Sequence, residues 1–175
     1  MVRQTEVLER VPVTSRDQQL VQAYTQGIKA GLAGAFTIAI WFALVDVLRG
    51  QPLHTPTVLG VALFKGPSAL ADPANLDPSF EMVVGFTWVH MLLFVIVGMV
   101  AARLMELAEH DSHVGFGIVL LFCIFEFVFI AACTIFAEPI LAELTMPAIL
   151  VGNLLAAGAM GLVFWRAHRA MTIEP

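Results

Sequence analysis

Four long apolar stretches alternate with polar segments along the chain. They cover about residues 28–48, 82–104, 114–137 and 147–165. Each approaches the ~20 apolar residues that a helix needs to cross the hydrocarbon core of a bilayer. The pattern predicts an all-α membrane protein, a four-span antiparallel helical bundle in which successive helices cross in opposite directions.

A fifth apolar run, residues 57–64, is too short to cross a bilayer. It is bounded by Thr55-Pro56, which is typical of a helix start, and by Gly66-Pro67, which is typical of a helix stop. The pattern predicts a short helix inside an outer loop, residues 49–81. This helix would lie at the interface or enter the membrane as a re-entrant segment, where neighbouring helices must shield its backbone.

The composition supports a lipid environment. Hydrophobic residues make up 59% of the 175 residues and charged residues only 13%, whereas soluble domains carry about 25% charged residues. The partner expected first is therefore the lipid bilayer. A net charge of −5 and the lack of a long basic run argue against binding to nucleic acid.

The distribution of cations predicts the orientation, because loops rich in Lys and Arg stay in the cytoplasm. Arg49 and Lys65 lie on the side of the outer loop. The other side carries seven cations: Arg3, Arg10, Arg16, Lys29, Arg103, Arg166 and Arg169. Both termini are therefore expected in the cytoplasm.

Three regions follow from this orientation. Residues 1–26 form a cytoplasmic segment, in which the capping-box pattern Ser15-Arg16-Asp17-Gln18 would begin a short amphipathic helix. Residues 27–166 form the transmembrane domain, and residues 167–175 form a cytoplasmic tail.

Small residues at helical spacing indicate where the spans pack, because close backbone contact holds helices together in lipid. The first span has such a residue at every fourth position, and shorter rows occur in the second and fourth spans. The predicted packing residues are Gly27, Gly31, Ala35, Ala39, Ala43, Gly98, Ala102, Ala157 and Gly161.

Polar residues interrupt the spans on these same faces. With a rise of 1.5 Å per residue, His90 and Glu126 come out level, ~12 Å from the outer edge, with Asn153 at ~9 Å and Asp46 at ~3 Å. His54, in the outer loop, could fold over them. The sequence therefore predicts a polar cluster of Asp46, His54, His90, Glu126 and Asn153 in the outer half of the bundle.

Three interpretations of this cluster remain open. It could be a structural hydrogen-bond network that fixes the helix register. It could hold haem or a divalent metal, because histidine and carboxylate side chains are suitable ligands, although no HxxxH, ExxH or CxxC spacing occurs. It could also pass protons through His90 and Glu126, although no ionisable residue except Lys29 and Arg103 near the surface continues the path through the inner half.

The chain has no catalytic triad motif, phosphate-binding loop or dinucleotide fingerprint, so enzymatic activity is not expected. An aromatic stripe on the third span offers more rings than one bundle core can absorb: Phe122, Phe125, Phe127, Phe129 and Phe136. We therefore expect a non-enzymatic membrane protein without a cofactor, which self-associates or serves as an accessory subunit. The alternative is a protein that handles a metal, haem or protons with Asp46, His90 and Glu126.

Four segments carry a family resemblance: WFALVDVLRGQPLHTPTVLGVALF, EMVVGFTWVHMLLF, GFGIVLLFCIFEF and PAILVGNLLAAGAMG. The chain resembles a group of small bacterial membrane proteins with four spans and no assigned activity. The resemblance covers most of the sequence from Gly31 to Arg166. It implies a bacterial inner-membrane location and a two-plus-two arrangement of the spans, and it adds no substrate or catalytic residue.

Overall fold

The computed structural model describes residues 13–108 and 146–168, and helices account for most of both ranges. We number the helices α1 (Val13–Leu48), α2 (His54–Lys65), α3 (Phe80–Ala108) and α4 (Met146–His168). Two short 3-10 helices, Pro67–Ala69 and Pro73–Asn75, lie between α2 and α3. These two ranges contain no β-strand, so the part of the chain that the structure describes is all-helical.

Three of the helices are long and apolar enough to cross a membrane. The qualifying segments are Leu20–Leu48, Phe80–Met105 and Pro147–Ala167, with mean hydropathies of 2.0, 2.3 and 1.9. For the described residues, the prediction of an all-helical fold with long apolar helices is thus confirmed. The third predicted span, residues 114–137, lies outside the described residues, and four spans remain a prediction.

The first helix begins earlier than the predicted span. α1 runs for 36 residues without interruption, which corresponds to ~54 Å against a hydrocarbon core of ~30 Å. The sequence from Val13 to Leu48 contains no proline that would break it. The short amphipathic helix expected in residues 1–26 is therefore the first part of α1 rather than a separate element.

Glycines bring α1 and α3 into backbone contact. A Cβ atom added to Gly31 would overlap the carbonyl of Phe94 and lie 2.7 Å from the Cα of Val95. A Cβ atom on Gly98 would overlap the carbonyl oxygen of Gly27 and lie 2.7 Å from the nitrogen of Gly31. No larger side chain fits at these positions, so the crossing depends on glycine in both helices.

α4 packs against α1 next to this crossing. Ala30, Ala102 and Phe164 meet in one buried cluster. We call it the inner cluster, and the opposite end of the bundle the outer end, after the orientation predicted from the sequence. One turn along α1, a Cβ atom on Gly34 would lie 2.9 Å from the side chain of Met160. Small residues on α1 thus accept larger side chains from α4.

α2 lies at the other end of the bundle, against the beginnings of α3 and α4. Its residues Val58 and Val61 share a second buried cluster, the outer cluster, with Leu70, Met82 and Ile149. A Cβ atom on α2's Gly60 would lie 2.5 Å from the carbonyl oxygen of Met82. α2 therefore packs closely on the bundle along one face.

The predicted packing residues differ in how far they are exposed. Most of them are buried or half-buried: Gly27, Gly31, Ala35, Gly98 and Ala102 are buried, and Ala157 is half-buried.

Ala39, Ala43 and Gly161 are exposed among the described residues, and a packing role for them stays a prediction because the third predicted span lies outside these residues. Their exposure has a physical reason: an α-helix has 3.6 residues per turn, so a row of every fourth residue drifts by about 40° per step. On α1, steps of four carry the row away from the buried face by Ala39. On α4, the buried face contains Gly152 and Ala156, and a Cβ atom on Gly161 would meet nothing within 4 Å.

Candidate functional site

Asp46, in the last turn of α1, is a buried carboxylate with only 1% of its surface exposed. Both of its oxygens accept hydrogen bonds from Thr55, in the first turn of α2. The Thr55 backbone N–H donates to Oδ2 at 2.8 Å, and the Thr55 hydroxyl donates to Oδ1 at 2.5 Å. Asp46 therefore connects two helices through its side chain.

A tight turn brings these two residues together. α1 ends at Leu48, and Gly50 and Leu53 then adopt positive φ angles of 74° and 65°. The backbone N–H of Gln51 donates to the carbonyl of Asp46, and that of His54 donates to the carbonyl of Gln51. The chain thus turns within five residues, and the first turn of α2 contacts the end of α1.

The carboxylate of Asp46 replaces a missing helix cap. The first N–H groups of a helix have no partner within the helix, and its N-terminus carries partial positive charge. Ser, Thr, Asp or Asn usually accepts a bond there, but the N-cap of α2 is Leu53, which forms no side-chain hydrogen bond. Asp46 supplies both the acceptor and the negative charge from a neighbouring helix.

Thr57 connects α2 to the beginning of α3. Its side chain is fully buried, and its hydroxyl donates to the carbonyl of Leu53 at 2.7 Å. The hydroxyl oxygen of Thr57 also accepts a hydrogen bond from the backbone N–H of Ser79, at 3.3 Å. Two threonines, two residues apart, therefore attach α2 to the end of α1 and to the residue that precedes α3.

His90 lies in an aromatic row on α3. Its ring is 5.6 Å from that of Phe86, at an interplanar angle of 29°, and 4.7 Å from that of Phe94, at 46°. The three residues are spaced by four, so they follow each other along one side of the helix. The imidazole is half-buried between two phenyl rings.

The predicted polar cluster is distributed over several helices. Asp46 and His54 are both buried at the α1–α2 turn. His90 follows Met82 of the outer cluster by eight residues, ~12 Å along α3. Asn153 is half-buried on α4, one turn beyond Ile149 of the outer cluster.

Glu126 lies outside the described residues, and so does its predicted pairing with His90. Among the residues that the structure describes, no group of three or more His, Cys, Asp or Glu side chains is arranged to hold a metal ion.

A hydrogen bond that the sequence pattern does not predict joins α1 to α4 at the outer end of the bundle. The indole Nε1 of Trp41 donates to the carbonyl oxygen of Ala148 at 2.8 Å. Gly152 provides the space, because a Cβ atom there would lie 2.9 Å from Cδ1 of the indole. In the sequence, only Gly152, about one turn into the fourth predicted span, indicated that a large side chain could pack there.

The inner end of the bundle carries an open groove with a volume of about 330 Å³ between α1 and α3. Its wall is apolar apart from one hydroxyl and one guanidinium group. The lining residues are Tyr24, Ile96, Met99, Val100, Arg103 and Leu104. We refer to it as the inner groove.

Comparison of the chain with protein-family models, with curated proteins and with solved structures found no match.

Proposed function

We propose that this chain is a non-enzymatic integral protein of a bacterial inner membrane, with four spans and both termini in the cytoplasm. In this proposal it acts as a structural subunit, either in an oligomer of its own copies or as an accessory part of a larger membrane complex. α2 lies over the outer end of the bundle, at the interface or entering the membrane part-way.

The observation that carries the proposal is the state of Asp46. A catalytic carboxylate must reach a substrate, but Asp46 is almost fully buried and both oxygens bind Thr55. Likewise, Thr57 is buried and attaches α2 to Ser79. These polar groups hold the helices in place, which is the role expected of polar contacts in a structural membrane protein.

The outward faces of the long helices support a membrane setting. Large apolar side chains are exposed along all three, for example Phe36 on α1, Leu92 on α3 and Leu154 on α4. In water such surfaces would be unfavourable, whereas lipid tails or another apolar helix can cover them. The same faces are available for contacts between subunits.

The two ends of the bundle support the proposed orientation. Lys29, Arg103 and Arg166 each lie within two residues of a member of the inner cluster, so three cations from three helices share one level. An excess of cations marks the cytoplasmic side. The outer end has Arg49 after α1 and Lys65 at the end of α2.

The test is purification of the full-length protein in a mild detergent after cross-linking in its native membrane. We expect a colourless, metal-free protein that is recovered as an oligomer or together with other membrane subunits. Single, unpartnered copies in both the cross-linked membrane and the detergent would contradict the structural role.

The same preparation tests the alternative function. An absorption band of haem or a stoichiometric metal would overturn the proposal if it disappeared in His90→Phe, which keeps the aromatic row but removes the ligand nitrogens. A proton conductance in liposomes that Glu126→Gln abolishes would also overturn it.

A further inference from the structure

The inner groove combines an apolar wall with a cation at one end. Ile96, Met99, Val100 and Leu104 supply the wall, and Arg103 lies beside Leu104. The membrane-crossing part of α3 ends at Met105, so Arg103 is ~3 Å from that end and Ile96 is ~14 Å from it. The groove therefore begins at the polar boundary of the membrane and continues into the hydrocarbon.

Two further observations concern its opening and its surroundings. Val100, near the middle of the groove, is 50% exposed, so the groove is open along the helices. Tyr24 lines the groove from α1 and Arg103 lines it from α3. Tyr24 is four residues from the start of the apolar part of α1 at Leu20, near the depth that tyrosine prefers at a membrane interface. Lys29 and Arg166 add positive charge at the same level.

We propose that the inner groove binds an anionic phospholipid of the cytoplasmic leaflet. One acyl chain lies against Ile96, Met99 and Val100. The phosphate of the headgroup accepts hydrogen bonds from the Arg103 guanidinium and from the Tyr24 hydroxyl. This inference rests on the proposed membrane embedding and orientation, and it adds a specific ligand class to them.

The headgroup, rather than the acyl chain, must provide the selectivity. A lipid tail that enters the groove leaves one apolar environment for another, so the hydrophobic effect contributes little to binding. The guanidinium group, in contrast, can form paired hydrogen bonds with phosphate oxygens. Basic pockets between membrane helices on the cytoplasmic side are suited to anionic headgroups for this reason.

Native mass spectrometry of the full-length protein with added lipids tests the proposal. We expect phosphatidylglycerol to bind more tightly than phosphatidylcholine with the same acyl chains. Arg103→Gln should weaken the binding of phosphatidylglycerol about fivefold, as expected for one cation near a membrane surface. Arg103→Lys should retain most of the preference, because it keeps the charge.

Matched variants separate the groove from general surface charge. Arg166→Gln removes a cation from the same level but outside the groove lining, so it should weaken the preference much less than Arg103→Gln does. Val100→Trp should fill the groove and abolish selective binding. Leu93→Trp adds the same ring to an exposed position of α3 outside the groove. This variant should keep the selective binding of phosphatidylglycerol.

Equal binding of the two lipids, or equal effects of Arg103→Gln and Arg166→Gln, would overturn the proposal. A diazirine-bearing residue in place of Val100 identifies the occupant in native membranes. A phospholipid adduct supports the proposal, whereas an adduct with a second copy or with another part of the chain overturns it. Extraction of the membranes with alkaline carbonate tests the embedding separately, because an integral protein stays in the pellet whatever lipid it prefers.

Discussion

Asp46 and Thr55 form two hydrogen bonds between the end of α1 and the start of α2, at 2.8 and 2.5 Å. A carboxylate inside an apolar helix is costly unless its oxygens are satisfied. Here the first turn of a neighbouring helix satisfies them, and the carboxylate in turn stabilises that turn. Thr55 satisfies the buried carboxylate, and Asp46 satisfies a backbone N–H at the uncapped start of α2.

We predict that Asp46→Ala lowers the free energy of unfolding by about 2–3 kcal/mol, because it removes hydrogen bonds to a charged acceptor and leaves Thr55 unsatisfied. Thr55→Val removes only the hydroxyl bond and should cost about 1–2 kcal/mol. Unfolding in detergent micelles measures both. In a double-mutant cycle the two changes should be coupled by at least ~0.5 kcal/mol, and strict additivity would contradict a direct contact.

A matched control for Asp46 is Asp72→Asn. Asp72 is an exposed carboxylate that accepts a bond from Asn75 within the loop between α2 and α3. This change should alter stability by no more than about 0.5 kcal/mol.

Alanine should change the free energy of unfolding in opposite directions at Gly31, in the contact between α1 and α3, and at Gly158, on the open surface of α4. Gly31→Ala should destabilise the protein by about 1–3 kcal/mol, because the new methyl group meets the backbone of Phe94 and Val95. Gly158→Ala has open space within 4 Å and should stabilise it by up to ~1 kcal/mol through helix propensity. Thermal unfolding in detergent compares them, and a stabilising Gly31→Ala would refute the close crossing.

Trp41→Phe should destabilise the outer end of the bundle by about 0.5–1.5 kcal/mol. The change keeps an aromatic ring but removes the indole N–H that donates to Ala148. Trp88→Phe is the control, because Trp88 is 73% exposed on α3. Loss of native tryptophan fluorescence on unfolding can be followed in both variants, and equal effects would argue against the hydrogen bond.

Labelling of single cysteines tests the orientation. Ser68→Cys, exposed between α2 and α3, should react with a membrane-impermeant maleimide added from outside intact cells or spheroplasts. Ser112→Cys, in the segment before the third predicted span, should react only after permeabilisation. Both variants are made in a chain in which Cys123 and Cys133 are replaced, so that only the new thiol can react. The reverse labelling pattern would contradict the predicted orientation.

The sequence predicted that Asp46 lies at the end of a span and that α2 begins at Thr55, but it did not predict their contact. Thr37 and Thr87 are also threonines in or near apolar segments, and each donates to the carbonyl four residues earlier in its own helix. Whether a threonine binds its own helix or another one depends on the tertiary arrangement. The local sequence does not encode that choice.

The small-residue pattern predicted the contact between α1 and α3 where its spacing stayed close to the 3.6-residue period of the helix. Gly27 and Gly31 identify the crossing with Gly98, because only glycine permits backbone contact there. The row of every fourth residue lost the buried face at Ala39 and Ala43, since the angular drift accumulates. Gly161 shows that a small residue in a span can also have an open surface beside it.

The separation of contacts along the chain implies an order of assembly during synthesis. Asp46 and Thr55 are nine residues apart, so the α1–α2 turn can form as soon as both have left the ribosome. Trp41 and Ala148 are 107 residues apart, and their bond must wait until α4 has been synthesised. Folding during synthesis would therefore begin at this turn, and arrested nascent chains from which both residues have emerged should already form the Asp46–Thr55 contact. The outer cluster must follow later, because it needs Met82 of α3 and Ile149 of α4.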